Sequence, residues 1–155
     1  MEPEVKVKKT SKKEYAYAVG RRKESTARIR VYTNTPSLEM WGETKIEKGK
    51  MYVNQLPIEK YFNGKTHEPM YLKPLVATDT VGKFTITARV VSGGHKGQLD
   101  AFVHGLARAL LALDSTKYHK LLKSAGFLTR DARVRQRRNV GTGGKARRAK
   151  QSPKR

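Results

Sequence analysis

The sequence predicts an α+β domain in which a mostly antiparallel, four-stranded sheet carries helices on one face and is followed by an extended basic tail. Segments rich in β-branched and aromatic residues lie in the first 91 residues, whereas the strongest helical periodicity comes after them. Strands that precede helices in this way favour helices packed on one side of an antiparallel sheet. Nearly all aliphatic and aromatic residues precede position 129, so we expect a flexible basic N-terminal extension (1–13), a core (14–128) and a tail (129–155).

Four segments have the composition or the alternation of β-strands. In the second, Ile29 and Val31 alternate with Arg28 and Arg30, which places two arginines on a face that is solvated or bound to a partner. The glycine-containing link 20–26 is predicted to be a hairpin loop. The predicted strands are Tyr15–Val19, Ala27–Thr33, Met51–Asn54 and Lys83–Val91.

The predicted helices lie mainly in the second half of the core. The strongest, Gln98–Leu113, repeats apolar residues on one face at helical spacing. Gly105 costs this helix about 1 kcal/mol relative to alanine, which predicts close packing against the sheet. Pro74 is expected to disturb the helix that contains it. The other predicted helical segments are Ile58–Phe62 after Pro57, Pro69–Ala77 and Thr116–Ser124.

Charge is the strongest indication of the partner. The chain has 155 residues and a formal net charge of +21, more than solubility requires, which favours nucleic acid and, less well, an anionic membrane surface. Cysteine is absent, which excludes disulfides and thiolate metal sites. Apolar runs are far shorter than the roughly 20 residues of a membrane span. We expect no membrane association and a cytoplasmic location, and an organelle is compatible with the same features.

The tail, 129–155, holds eleven basic residues and one acid, with no aromatic residue. Such a segment buries too little apolar surface to offset the entropy of its own ordering, so we expect it to be disordered when free. A dense array of phosphates would order it, largely through the release of counterions.

Two glycine-containing segments invite a functional interpretation. Arg21, Arg22 and Lys23 form either a phosphate clamp or a solvated hairpin tip, and the sequence leaves both open. The segment 92–98 could hold an RNA phosphate through Lys96, or its glycines could simply permit a turn between strand and helix. It lacks the order of a P-loop, so nucleotide hydrolysis is a weak hypothesis.

Catalytic and metal-binding patterns are weak elsewhere. Asp100, His104 and Arg108 recur every four residues opposite the apolar helix face, and we expect a solvated or RNA-facing stripe there. The four histidines lack the spacing of a metal site, and few carboxylates follow position 100. We predict neither enzymatic activity nor a cofactor.

Several separated motifs stand in a fixed order along the chain. The first half contains 17-YAVGRRK-23, 25-STAR-28, 53-VN-54 and 59-EKYF-62. The second half contains 93-GG-94, 97-GQ-98, 104-HG-105, 107-ARAL-110 and 126-GFLTRDARV-134, with 154-KR-155 at the end. In this order the motifs resemble the universal family of small-subunit ribosomal protein S9. The resemblance covers residues 15–155, and the hairpin loop is of the bacterial or organellar type.

The resemblance implies a domain like the second domain of ribosomal protein S5, bound to 16S-type rRNA and neighbouring proteins in the head of the small subunit. It implies a tail that reaches the peptidyl-site tRNA through Lys154 and Arg155. The ending 149-AKQSPKR-155 lacks the family's aromatic residue, so no stacking role transfers to it. The rRNA contacts that we predict are Arg21, Arg22, Lys23, Arg28, Lys96, Arg108, Arg130, Arg133, Arg135, Arg137, Arg138, Lys145, Arg147 and Arg148.

Two other functions remain open from the residues alone. One is a free-standing RNA chaperone or architectural binder that uses the tail without sequence preference. The other is a small phosphotransferase built around residues 92–98. The structural ribosomal role is favoured because the resemblance spans nearly the whole chain.

Overall fold

A computed structural model of the chain describes residues 15–33, 40–41 and 44–141. The predicted strands and helices are confirmed as elements, and most of their bounds differ by one to three residues. The strands are β1 (Tyr15–Arg22), β2 (Ser25–Tyr32), β3 (Met40–Trp41), β4 (Thr44–Lys45), β5 (Met51–Val53), β6 (Leu56–Pro57) and β7 (Thr85–Val91). The helices are α1 (Ile58–Tyr61), α2 (Glu68–Ala77), α3 (His95–Leu113) and α4 (Ser115–Ser124).

The main sheet has five strands in the order β1-β2-β7-β5-β6 and is mixed, so the expectation of four mostly antiparallel strands is corrected. β5 runs parallel to β7 because α1 and α2 carry the chain back across the sheet between them. β6 is added by a tight turn in which Asn54 and Gln55 both have positive φ, 48° and 68°. In the described part of the chain, β3 and β4 form a separate two-stranded sheet.

The hairpin predicted between the first two strands is confirmed, but its loop is shorter than the predicted 20–26. β1 and β2 stay paired as far as Arg22 opposite Ser25, so the turn contains only Lys23 and Glu24. Gly20 lies inside β1 rather than at a turn, and a Cβ there would lie 2.0 Å from the Ala101 carbonyl oxygen. Gly20 therefore allows a helix to pack directly against the backbone of β1.

Helix α3 covers the inner face of the sheet and forms the core with it. Ile29 and Val31 of β2, which alternate with the arginines, are fully buried there, as are Phe102 and Leu106 of α3. The close packing predicted at Gly105 is confirmed, since its Cβ would lie 2.8 Å from the Gly20 nitrogen. The two glycines therefore allow the backbones of α3 and β1 to approach each other directly.

Three details of the helices matter for the site. α3 begins at His95, three residues earlier than predicted, so Lys96 lies in its first turn. α2 continues through Pro74, which is buried within it rather than ending it. α4 is capped by Asp114, whose carboxylate accepts a hydrogen bond from the Lys117 amide at 3.1 Å.

Within the described ranges, no helix combines the length and the apolar character needed to cross a bilayer.

The glycine contact predicts a large loss of stability in Gly20→Ala, of about 3 kcal/mol in the free energy of unfolding. The added methyl group would meet backbone atoms of Ala101 and Gly105, which cannot rotate away. Gly97→Ala is the matched control, because its Cβ would come within 3.0 Å of only the Ser25 hydroxyl, a group able to turn aside. Urea unfolding should place that control within about 1 kcal/mol of wild type. Equal stability of the two variants would contradict the predicted contact.

Candidate nucleic-acid interface

Six of the predicted RNA-binding residues converge where the tail leaves the core. They line two adjoining recesses, one of about 430 Å³ and one of about 230 Å³, which share Arg21 and His104. We call the two together the tail-root groove. The basic residues that line it are Arg21, Arg22, Lys73, Lys96, Arg108, Arg130 and Arg133.

Arg22 has a different environment from the other cations of the groove. Its guanidinium lies 3.6 Å from Asp100 of α3 and 3.0 Å from Asp131 of the tail, and its side chain is only 14% exposed. Its Nη1 also donates a hydrogen bond to the Arg133 carbonyl at 2.6 Å. Arg22 therefore joins β1, α3 and the first residues of the tail. An rRNA contact at Arg22 stays a prediction, but its guanidinium already has three partners within the protein.

We call the contacts of Arg22 with Asp100, Asp131 and the Arg133 carbonyl the clamp at the tail root, and Asp131 makes further contacts within it. Its carboxylate accepts hydrogen bonds from the Arg133 side chain, at 2.7 Å from Nη2, and from the Arg133 amide at 2.9 Å. These bonds, together with the charges of Arg133 and Arg22, hold the pKa of the Asp131 carboxyl well below its usual range. A carboxylate with a lowered pKa stabilises the folded state above its unfolded pKa, near 4, and this contribution is lost as the pH falls toward the folded value. The clamp is therefore intact at neutral pH.

The stripe of Asp100, His104 and Arg108, expected to be solvated or RNA-facing, also contacts the edge of the sheet, and its contact with RNA stays a prediction. β1 is an edge strand, and α3 lies close enough for the stripe to reach the groups along that edge. Arg108 donates a hydrogen bond to the Val19 carbonyl at 2.6 Å, and His104 Nδ1 accepts a weak one from the backbone amide of Arg21 at 3.5 Å. These side chains therefore satisfy backbone groups that the sheet leaves open.

Partial burial sets the protonation state of His104. Burial, and then the positive charge of Arg108, lowers the pKa of this imidazole below its usual value, and a hydrogen bond with the Leu128 backbone opposes the shift in part. His104 is therefore neutral at pH 7. Protonating it in acid costs stability, from its unfolded pKa near 6.5 downward. Because it contacts both β1 and Leu128, it holds the last residue of the core, directly before the tail, against the edge strand.

The remaining predicted residues lie elsewhere. Lys23 is exposed at the tip of the β1–β2 hairpin, and Arg28 lies on β2, outside the tail-root groove. Arg135, Arg137 and Arg138 are exposed in a stretch with no regular secondary structure. The other predicted contacts lie outside the described residues, and they are Lys145, Arg147, Arg148, Lys154 and Arg155.

Two basic residues of these surfaces, Lys73 and Arg89, are absent from the contacts that the sequence predicts. Lys73 belongs to the tail-root groove but sits in a helix with no basic pattern, so no local signal marks it. Arg89 lies directly opposite Arg28 across β2 and β7. The alternation of arginines in β2 could have suggested this partner, had the pairing of the strands been known.

The glycine-rich segment 92–98 has a structural explanation. Ser92 and Gly93 adopt positive φ values of 62° and 69°, and a Cβ on Gly93 would lie 2.1 Å from the Ser25 hydroxyl. The positive φ is therefore what requires glycine at position 93, since the Ser25 hydroxyl can turn aside. Lys96 is exposed one turn further on and contributes to the groove. Across the described residues, no cluster of histidine and carboxylate side chains could hold a metal ion.

Comparison with known proteins identifies a family and a relative that resemble this chain. The model of the family described as Ribosomal protein S9/S16 matches residues 20–155. The chain is also similar to the protein named small ribosomal subunit protein uS9 of Maridesulfovibrio salexigens. The two are 41% identical over 132 residues, which cover 85% of this chain and 91% of that relative.

The neighbouring arginines Arg21 and Arg22 are predicted to differ in their effect on the tail root. Arg22→Gln should loosen residues 129–134, because it removes the bridge to Asp100 and Asp131. Arg21→Gln removes the same charge but leaves that bridge in place. Heteronuclear NOE values for the amides of 129–134 should fall in the first variant and stay at wild-type values in the second. Equal values in both variants would show that Arg22 does not hold the tail.

Proposed function

The chain belongs to the ribosomal protein S9/S16 family, and from that premise we propose that it binds 16S-type rRNA in the head of the small subunit and extends its tail to the peptidyl-site tRNA. Family membership makes the chain a structural constituent of the small ribosomal subunit that serves translation. This agrees with the motif resemblance. Its partners are then rRNA and neighbouring ribosomal proteins, and its location follows that of the ribosome.

The observation that carries the rRNA proposal is the tail-root groove. Arg21, Lys96, Arg108 and Arg130 come from three separate parts of the chain, yet they line adjoining recesses. Like charges repel, so such a concentration is unfavourable unless anions neutralise it. A folded RNA presents phosphates along its backbone, and proteins that bind structured RNA contact mainly its shape and its phosphates. The groove fits that role.

The tail would add phosphate contacts from a fixed starting point. Arg22 holds its first residues against β1 and α3, and His104 holds Leu128 directly before them, so the path of the following chain begins at a defined place. Arg135, Arg137 and Arg138 are exposed beyond that point. Each phosphate contact releases condensed counterions, and this gain can offset the entropy lost when an extended segment becomes ordered.

The contact with tRNA is the most distal part of the proposal. It rests on the terminal pair Lys154 and Arg155, which matches the family ending although the preceding residues do not. Two adjacent cations suit a phosphate backbone rather than base recognition. We therefore propose that this pair contributes affinity for tRNA without sequence preference.

Neutralising Lys96 or Arg130 is predicted to flatten the salt dependence of binding to a head-domain rRNA fragment. Removing one phosphate contact should reduce the slope of log K against log salt concentration by about 1. Lys120→Gln is the matched control, since this exposed lysine lies on α4 and does not line the groove. Filter binding from about 0.05 to 0.3 M salt measures the slope. A slope unchanged in Lys96→Gln and Arg130→Gln, or an equal affinity for unrelated RNAs, would instead favour a general RNA chaperone.

Deleting Lys154 and Arg155 is predicted to weaken peptidyl-site tRNA binding while leaving incorporation into small subunits nearly intact. The reason is that most cations of the tail and the whole groove remain available to rRNA. The double variant Arg147→Gln and Arg148→Gln removes the same charge closer to the core and should leave tRNA affinity at the wild-type value. Reconstituted subunits on sucrose gradients report incorporation, and filter binding reports tRNA affinity. Unchanged tRNA affinity after the deletion would remove the tail tip from the proposal.

A further inference from the structure

The sheet face that turns away from α3 carries a second cationic surface. Tyr15 and Tyr17 of β1, Arg28 and Arg30 of β2, and Thr87 and Arg89 of β7 line a recess there together with Trp41. Its volume is about 430 Å³, within the roughly 300 to 1,000 Å³ of small-ligand sites. We call it the open-face groove. None of the residues that line it also lines the tail-root groove.

The pairing of the strands places like charges together on this face. Arg28 lies directly opposite Arg89 across β2 and β7, and such a pair of like charges destabilises a sheet. Arg30, one row along, faces Tyr17 on one side and Thr87 on the other. No carboxylate is among the described residues that line the groove. The charge is therefore complementary to an anion supplied from outside.

The same face presents planar side chains. Tyr17 is 46% exposed, so its ring is open to a partner from solvent. The Arg30 guanidinium lies over the Tyr15 ring at 5.1 Å, and Tyr15 packs against Tyr32 with ring centroids 5.4 Å apart. Rings and guanidinium planes of this kind are the surfaces on which unpaired RNA bases stack. An acidic peptide would satisfy the charges but would not need these planes.

We propose that the open-face groove binds unpaired nucleotides of RNA, with bases stacked on Tyr17 and Trp41 and phosphates held by Arg28 and Arg89. This inference rests on the proposed function for the class of partner, since both concern RNA. It adds a site with a different mode of recognition. The tail-root groove offers charge to folded RNA, whereas the open-face groove combines charge with stacking, which only bases outside a duplex can reach.

Trp41 makes the proposal measurable, because it is the only tryptophan of the chain. We expect unlabelled pentaadenylate to quench the tryptophan fluorescence of the full-length protein in a saturable manner. A blunt RNA hairpin closed by a very short loop should bind the protein through its cationic segments and leave the emission unchanged. Pentaadenylate binding seen by anisotropy of a labelled copy, without any quenching, would overturn the proposal. Equal quenching by pentaglutamate would also overturn it, in favour of a protein partner.

Paired variants separate stacking from charge. Tyr17→Ala should raise the concentration of pentaadenylate needed for half-maximal quenching by about 5-fold or more, whereas Tyr17→Phe should preserve it. Arg28→Gln, a change at an exposed position, should weaken quenching as well without affecting the core. Wild-type quenching in both Tyr17→Ala and Arg28→Gln would overturn the proposal.

Lys96→Gln distinguishes this site from the proposed rRNA groove. It should leave the quenching midpoint unchanged, and the proposal is overturned if it shifts the midpoint as much as Arg28→Gln does. If Lys96→Gln keeps the full salt slope on head-domain rRNA while Tyr17→Ala still loses quenching, the rRNA role of the tail-root groove fails and the open-face site stands.

Discussion

The contact between Gly20 of β1 and Gly105 of α3 determines the rest of the arrangement. Because neither residue has a side chain, the backbones of β1 and α3 lie so close that a Cβ added to one glycine would overlap the backbone of the opposite element. That distance brings the polar stripe of α3 onto the edge of β1, where Arg108 reaches the Val19 carbonyl. It also brings Asp100 to Arg22. A wider spacing would separate the helix from the strand edge and from the tail root together.

Two of the few acids near this contact form ion pairs with a cation of the protein itself. In a chain with a net charge of +21, Asp100 and Asp131 both pair with the Arg22 guanidinium and neutralise charge where the tail meets the core. An isolated exposed ion pair contributes little, but a guanidinium that is mostly buried and shared by two carboxylates and a carbonyl forms a network. Cations farther along the tail-root groove, such as Lys96, are exposed and available to an external anion.

The sequence predicted what depends on local pattern and missed what depends on spatial pairing. The β-branched residues of β7 and the apolar periodicity of α3 were sufficient to predict a strand and a helix. Gly20 was assigned to a loop because glycine usually marks turns, while its actual requirement is a helix that arrives some 80 residues later in the chain. The parallel pairing of β5 with β7 also has no local signal, since it follows from the path of the intervening helices. For the same reason the sequence identifies the basic residues, but only the pairing of strands and helices shows which of them line each groove.

The clamp at the tail root bears on how a highly charged segment could find its place in an RNA. A tail that is not fixed at its start would sample a wide volume. Each contact with RNA would then have to overcome the entropy lost when the chain between the core and that contact is closed into a loop. Arg22 fixes Asp131 and Arg133 beside the groove, so under the proposed docking of the core the exposed Arg135 and Arg137 would stay close to the same RNA. Binding of the tail then becomes an intramolecular step with a high effective concentration of phosphates. Because Arg22 fixes Asp131 and Arg133 beside β1 and α3, the path of the tail begins at one defined point of the fold.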